Sequence, residues 1–384
     1  MESKKVLLCL AHMSGNEMKY IQEAFDTNWV VPLGPNVDGF EDDLEKFIGG
    51  KHSVVALSSG TSAIHLALVA LGVGHGDEVI CQSFTFDASA NPVVYQGATP
   101  IFIDSEEKTW NMDPNLLEDA IKDRIKKTGK KPKAIIPVYL YGMPAYIDEI
   151  MNIANRYEIP VIEDAAEAFG STYKGQVCGT FGTFGIMSFN GNKMITTSGG
   201  GALICPDQKT ADRVLYFATQ ARQPKPYYLH TEIGYNYRMS NICAGIGRGQ
   251  MTIVDEHLAH HRHLKDVYVE GFKSLDEAVI KVSPESYMDS NYWLNTIFFK
   301  NVVDDCPGEP SSEVMKIQNH LASVNIETRP LWKPMHTQPI YKDAPFYGNG
   351  VSSRIFPKGL CLPSGPYVTD EDAKRVIEEI KNCL

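Results

Sequence analysis

VVALSSGTSAIHLALVALG, residues 54–72, holds the architecture in miniature. Its first four residues are apolar and β-favouring, which reads as a strand. A joint of small residues follows at Ser58 to Gly60, and from Gly60 an almost wholly apolar segment runs to a closing glycine, which reads as a buried helix. The same alternation continues downstream. EVICQ, TPIFID, KAIIPVYL and IPVIEDA read as strands, and LLEDAIKDRIKK and YIDEIMNIANRYE between them place apolar residues at helical spacing. Strands alternating with helices make a mostly parallel sheet covered by helices, so the fold class is α/β.

The alternation ends after GIMSFN and GGGALICP. Residues 240–273 read as one long helical connection. Beyond them lie strand-like NYWLNTIFFK and helices near 311–324 and 369–382, the makings of a smaller α+β unit. A chain of 384 residues exceeds the size at which one core usually stops growing. The expected division is therefore a large α/β domain over residues 1–250 and a small C-terminal α+β domain over 251–384.

Composition narrows the function classes. A formal net charge of -11 excludes general affinity for nucleic acid or for anionic membranes, which need a basic surface. The opening MESKKVLLCLAHMSGNE has too short an apolar run for a signal peptide or a membrane span, so a cytoplasmic location is expected. The eight cysteines are scattered, without a CxxC pair, and read as reduced thiols.

Three segments carry chemistry. In LSSGTSA (57–63) a strand gives way to a helix whose free N–H groups and dipole favour a phosphate, with Ser59 and Thr61 as added donors; an ordinary helix cap would look the same. In VIEDAAEAFG (161–170) an apolar strand runs directly into acids, which puts Asp164 at the carboxyl end of a strand, where α/β sheets bind ligands. A carboxylate there can cap a helix, or it can pair with a protonated pyridine nitrogen. In SFNGNKMITTSGGG (188–201) Lys193 is the one charged residue between Gln176 and Asp207. A lysine in such surroundings is set apart from surface lysines and suited to attack a carbonyl once desolvated. Ser188 could add a phosphate donor.

Two further patterns fall away. GVGHGDE (72–78) has glycines of a dinucleotide fingerprint but follows a helix and precedes a strand, the reverse of the required order. HLAHHRH (257–263) sets His257 and His261 one helical turn apart, a zinc-compatible spacing without a third ligand, so a solvated helix face is expected and no metal.

With Ser59 to Ser62, Asp164, Ser188 and Lys193 in this order, the chain resembles the DegT/StrS family of sugar aminotransferases. The likeness extends over nearly the whole sequence, through GDEVICQSFTFDASANPV, IGYNYRMSN (233–241), IETRPLWKPMHTQP (326–339) and GLCLPSG (359–365). Within the family it looks most similar to enzymes that aminate UDP-4-keto-6-deoxy-N-acetylglucosamine on the way to bacillosamine-type sugars.

The resemblance implies the fold-type I architecture of aspartate aminotransferase and pyridoxal 5'-phosphate as cofactor. It makes Lys193 the Schiff-base lysine and proton carrier, Asp164 the partner of the pyridine nitrogen, and Glu167 a neighbour of the ring hydroxyl. Phe86 matches the aromatic that stacks on the ring. Gly60, Thr61 and Ser188 would hold the phosphate, joined by Asn236 from the second subunit of a homodimer with shared sites. Some relatives carry histidine in place of this lysine and dehydrate their substrate; Lys193 points to amino transfer.

The reaction so implied moves an amino group from L-glutamate to the C4 ketone of a nucleotide sugar. The diphosphate of that substrate needs cations despite the acidic surface, and Arg238, Arg329, Lys333 and His336 stand in the motif segments as candidates. Two alternatives remain: a 3-ketosugar aminotransferase, and a non-catalytic relative that binds the cofactor for regulation.

Overall fold

A computed structural model describes residues 4–384. Its main sheet is assembled from segments that, apart from the edge strand Phe346–Tyr347, are largely buried on both faces. In spatial order the strands are Ser53–Leu57, Gly201–Cys205, Phe184–Ser188 and Ile162–Asp164, then Ala134–Ile136, Glu78–Gln82, Thr99–Ile103 and Phe346–Tyr347. Parallel bridges from Ile135 to Val161 and from Val138 to Asp164 join the two halves. All neighbours run parallel except Gly201–Cys205, which is antiparallel on both sides. Continuous apolar strands suit this arrangement, because helices cover both faces and leave none for water.

The antiparallel strand follows from the loop before it. Strand Phe184–Ser188 ends at the rim of the sheet, and the chain turns back through residues 189–200, so the next strand must run the opposite way. Gly201 pairs with both Leu57 and Ser188. A Cβ on Gly201 would lie 2.6 Å from Ser59 O and closer still to Gly60 N, so only glycine lets this strand pass the start of helix Gly60–Ala70.

The second sheet is antiparallel, in the order Ala278–Ile280, Asn295–Phe299, Gly359–Leu362, Arg329–Pro330. Helices Val254–Phe272, Ser312–Ser323 and Asp370–Lys381 pack on it around Leu264, Phe272, Ile297, Leu321 and Val376. The last of these helices starts with a capping box between Thr369 and Asp372. Two segments cross between the layers. Val6 bridges to Ile326 and joins the core of the small unit, while Phe346–Tyr347 pairs with Thr99–Ile103 of the large sheet.

The helical connection expected over residues 240–273 is two helices, Asn241–Met251 and Val254–Phe272. The break falls where the Thr252 hydroxyl donates to Gly249 O and competes with the helical ladder. No helix among the described residues is long and apolar enough to cross a membrane.

Candidate active site

The ends of three strands of the main sheet, at Ser58, Asp164 and Ser188, open onto one cavity of about 420 Å³. Along Ile162–Asp164 successive side chains face opposite sides of the sheet. Glu163 turns into the protein, where it accepts from the Tyr139 hydroxyl and from the N–H groups of Gly179 (2.9 Å) and Phe181 (2.6 Å). Asp164 turns into the cavity. Its Oδ2 accepts the Ser89 hydroxyl at 2.6 Å, and its Oδ1 accepts Ala166 N–H at 3.1 Å. Burial pushes the carboxyl up and the Ser89 hydrogen bond opposes this.

Helix Gly60–Ala70 aims its first turn at the same space. Ser59 caps it by accepting Ser62 N–H at 3.0 Å, which leaves the first-turn N–H groups of Gly60 and Thr61 directed at the cavity. Ser188 lies alongside: a Cβ on Gly60 would be 3.3 Å from Ser188 Cβ. Two N–H groups, the Thr61 and Ser188 hydroxyls and the positive helix end make an anion cradle.

Lys193 enters from the loop 189–200. Its Nζ is 3.8 Å from Glu167 Oε1 and 3.9 Å from the centre of the Trp293 ring, and its side chain is 13% exposed. Glu167 is held by Tyr141 N–H at 2.6 Å, from a residue with φ of 55°. Burial raises the Glu167 carboxyl to about 7, with the Lys193 ammonium pulling the other way. Trp293 is fixed in turn: its Nε1–H donates to Asn192 O at 2.6 Å, and its N–H to Asn291 Oδ1 at 2.8 Å. Asn291 Nδ2 donates to Glu167 O at 2.8 Å, so the acid and the indole share a support. Phe86, 57% exposed, stands over the cavity with its ring tilted against Trp332.

Gly60, Thr61, Phe86, Asp164, Glu167, Ser188 and Lys193 thus line one space. Asn236 does not; it is exposed, on a segment bridged to Thr219. The four cationic residues expected to meet a diphosphate do not line this cavity in the single chain, and each has an engagement of its own. Arg238 is buried in an ion pair with Glu41, Arg329 faces solvent beside Glu327 at 3.1 Å, and Lys333 pairs with Glu309 at 2.8 Å. His336 binds Ser83 Oγ at 2.7 Å and stacks on Phe346, and burial lowers its pKa, so it carries little positive charge. Ser89, Trp293 and Trp332 line the cavity without having been singled out in the sequence, although SFTFDAS, NYWLNTIFFK and RPLWKP contain them. His257 and His261, expected on a solvated face, are buried.

The donor set fits pyridoxal phosphate: an anion cradle, a buried acceptor for a pyridinium N–H, an exposed aromatic for the ring face, and one amine.

The family model described as the DegT/DnrJ/EryC1/StrS aminotransferase family matches residues 11–381. The chain is 48% identical to EpsN of Bacillus subtilis (strain 168), named provisionally as a pyridoxal phosphate-dependent aminotransferase, over 98% of this chain and 95% of that one. It is 38% identical to GDP-perosamine synthase of Escherichia coli O157:H7, over 96% and 95%. The crystal structure of a DegT DnrJ EryC1 StrS aminotransferase from Brucella abortus superposes with a TM-score of 0.87 at 29% identity, covering 96% of this chain and 95% of that one.

Proposed function

Because this chain belongs to the DegT/DnrJ/EryC1/StrS aminotransferase family and is a sugar aminotransferase, we propose that it transfers the amino group of L-glutamate to the C4 ketone of a nucleotide-linked 4-keto-6-deoxy sugar. UDP-4-keto-6-deoxy-N-acetylglucosamine is the substrate of choice, and the product serves surface polysaccharide or glycan synthesis. The observation that carries this reading is the Lys193 amine, lodged between Glu167 and Trp293 in the cavity that Asp164 faces.

Bound pyridoxal phosphate supplies a carbonyl for Lys193 and an electron sink for the carbon that loses its proton. Lys193 takes that proton from glutamate in the first half-reaction and handles its counterpart on the sugar carbon in the second. Asp164, fixed by Ser89, keeps the pyridine nitrogen protonated. Glu167 lies on the Lys193 side of the cavity and shares a proton with whatever acid or hydroxyl it meets there, since a carboxyl near 7 is half-ionised at neutral pH. Gly60, Thr61 and Ser188 bind the phosphate, and Phe86 covers one ring face. Asn236 of a second copy completes the phosphate site. Support for that second copy comes from apolar residues left in water on the same segment, Ile233 and Tyr228, each 82% exposed.

The test is a mass-spectrometric screen of UDP-, dTDP- and GDP-linked 4-keto and 3-keto sugars with glutamate as donor. Conversion of a 4-keto-6-deoxy sugar is expected. Conversion of a 3-keto sugar alone would replace the regiochemistry, and no conversion of any sugar would leave a non-catalytic binding protein.

A further inference from the structure

The HLAHHRH segment has no part in the reaction described above, yet two of its histidines are among the most buried polar residues in the protein: His257 is 3% exposed and His261 is not exposed at all. They lie one turn apart on helix Val254–Phe272 and face the same way. Each makes one hydrogen bond to a backbone carbonyl. His257 Nδ1 reaches Met194 O at 3.0 Å, and His261 Nδ1 reaches Tyr292 O at 3.1 Å. Met194 directly follows Lys193 and Tyr292 directly precedes Trp293, the two residues that meet amine to ring at 3.9 Å.

We propose that His257 and His261 act as a two-point clamp, positioning residues that hold the Lys193 loop and the Trp293 loop at a fixed separation and so set where the Lys193 amine sits. The proposal rests on the reading of Lys193 as the catalytic amine.

The chemistry of the contacts fixes the tautomers. A carbonyl oxygen only accepts, so Nδ1 carries the hydrogen in both rings. His257 Nε2 is then an acceptor, and His12 Nδ1, 3.1 Å away, donates to it. His12 is thereby a third member, bracing His257 from the N-terminal segment. Burial lowers both pKa values, that of His261 to about 3, which keeps the rings neutral and the donor pattern constant through the physiological range. His261 Nε2 is buried and has no partner among the described residues. Leaving a ring nitrogen unsatisfied in the interior is unfavourable, and a leucine would fill the place without that penalty, which argues that the ring is kept for its Nδ1 donor.

The helix is suited to such a task. The two carbonyls belong to segments separated by about a hundred residues and drawn from the two layers of the fold, and neither segment lies in a regular strand at that point. A helix is stiffer than either loop, and the spacing of its adjacent turns transfers directly to the two attachment points. No pair of exposed histidines could do this.

The experiment compares His257→Leu and His261→Leu, which keep bulk, with His257→Asn and His261→Asn, which restore a donor near the position of Nδ1. Two readouts are taken on each: steady-state kinetics of the holoenzyme, and the rate at which cofactor-free protein is modified at Lys193 by reductive methylation, followed by peptide mass spectrometry. The leucine variants should fold, with unchanged circular dichroism. They should label Lys193 several-fold faster and lose kcat by roughly tenfold or more, with KM for the sugar little changed, as expected when the amine is misplaced and binding is not. The asparagine variants should return both readouts toward wild type. Leucine variants that label and turn over like wild type would overturn the clamp, and so would asparagine variants that behave no better than leucine. Failure of the underlying reading is seen separately: borohydride treatment of the wild-type holoenzyme would then leave no cofactor on Lys193.

Discussion

Ser89 donates its hydroxyl hydrogen to Asp164 Oδ2 at 2.6 Å, and Thr85 Oγ1 lies 2.8 Å behind Ser89 Oγ, so the acid facing the cavity is the end of a short chain of hydroxyls. A hydroxyl that donates to a buried carboxylate favours its charged form, the form that holds a pyridinium proton. Asp164→Asn should therefore cost on the order of 100-fold or more in kcat while the cofactor still binds. Ser89→Ala removes one hydrogen bond to a charged group and should cost about tenfold. Rapid-quench measurement of the glutamate half-reaction checks both; near-normal rates in Asp164→Asn would remove it from the proposed role.

Glu167 gives a prediction in pH. Its carboxyl is raised by burial from 4.5 to about 7 in the folded protein. For a carboxyl raised in this way, the protonated form is favoured by folding: stability is fully present below the unfolded value and declines as pH rises to about 7. The decline amounts to on the order of 3 kcal/mol at most, by the usual conversion of a pKa difference. In the cofactor-free protein, Glu167→Gln should accordingly stabilise at about pH 8 and do little at about pH 5. The glutamine oxygen can still accept from Tyr141 N–H. Urea unfolding at the two pH values decides the matter, and an equal effect at both would mean that Glu167 is ionised without cost.

Gly201→Ala should fail for steric reasons alone. The new methyl would press on the Ser59 carbonyl and Gly60 N–H, both backbone atoms that cannot rotate away. Overpacking of this kind costs about 1–3 kcal/mol, and here the displaced atoms are the start of the anion cradle. Lower thermal stability and a weaker affinity for pyridoxal phosphate should appear together, measured by calorimetry and by cofactor titration. Gly74→Ala is the control, since a Cβ there meets nothing within 4 Å and the position lies outside the cavity.

The fold was largely legible because its strands are short apolar runs broken by helices of clear period, as in residues 54–72. The one reversed strand was not. GGGALICP is as apolar as its neighbours, and its direction depends on the length of the turn through residues 189–200. In the site, Lys193 and Asp164 stood out because each breaks a local expectation, a lone charge among small residues and an acid at a strand end. Trp293 did not, since an aromatic in NYWLNTIFFK reads as core, and its contact with Lys193 spans a hundred residues. The partners of the cations were hidden for a related reason: no local pattern shows that Arg238 is matched by Glu41, almost two hundred positions away. His257 and His261 misled in the opposite sense, because a charged, histidine-rich run suggests water when only some of its side chains meet it.

The shared site leads to a complementation experiment. Asn236 is exposed in the single chain and lies outside the Lys193 cavity, so if it reaches a phosphate it does so in a second copy. Asn236→Asp would place a carboxylate against that phosphate, whereas Arg238 must be left intact because removing it strands the half-buried Glu41. Homodimers of Lys193→Ala lack the amine in both sites, and homodimers of Asn236→Asp carry the repulsive group in both. A mixed dimer has one doubly damaged site and one intact site, since the chain that supplies Lys193 receives a normal Asn236 from the other. Random pairing makes half of all dimers mixed, and half of their sites are whole, so co-expression of the two inactive variants should restore about a quarter of wild-type activity, as a closed two-fold interface requires. Mixed dimers isolated by two different affinity tags sharpen the measurement to about half of wild type. If those isolated dimers stay as inactive as their parents, Asn236 acts within its own chain or not at all, and the cradle of Gly60, Thr61 and Ser188 must hold the phosphate unaided.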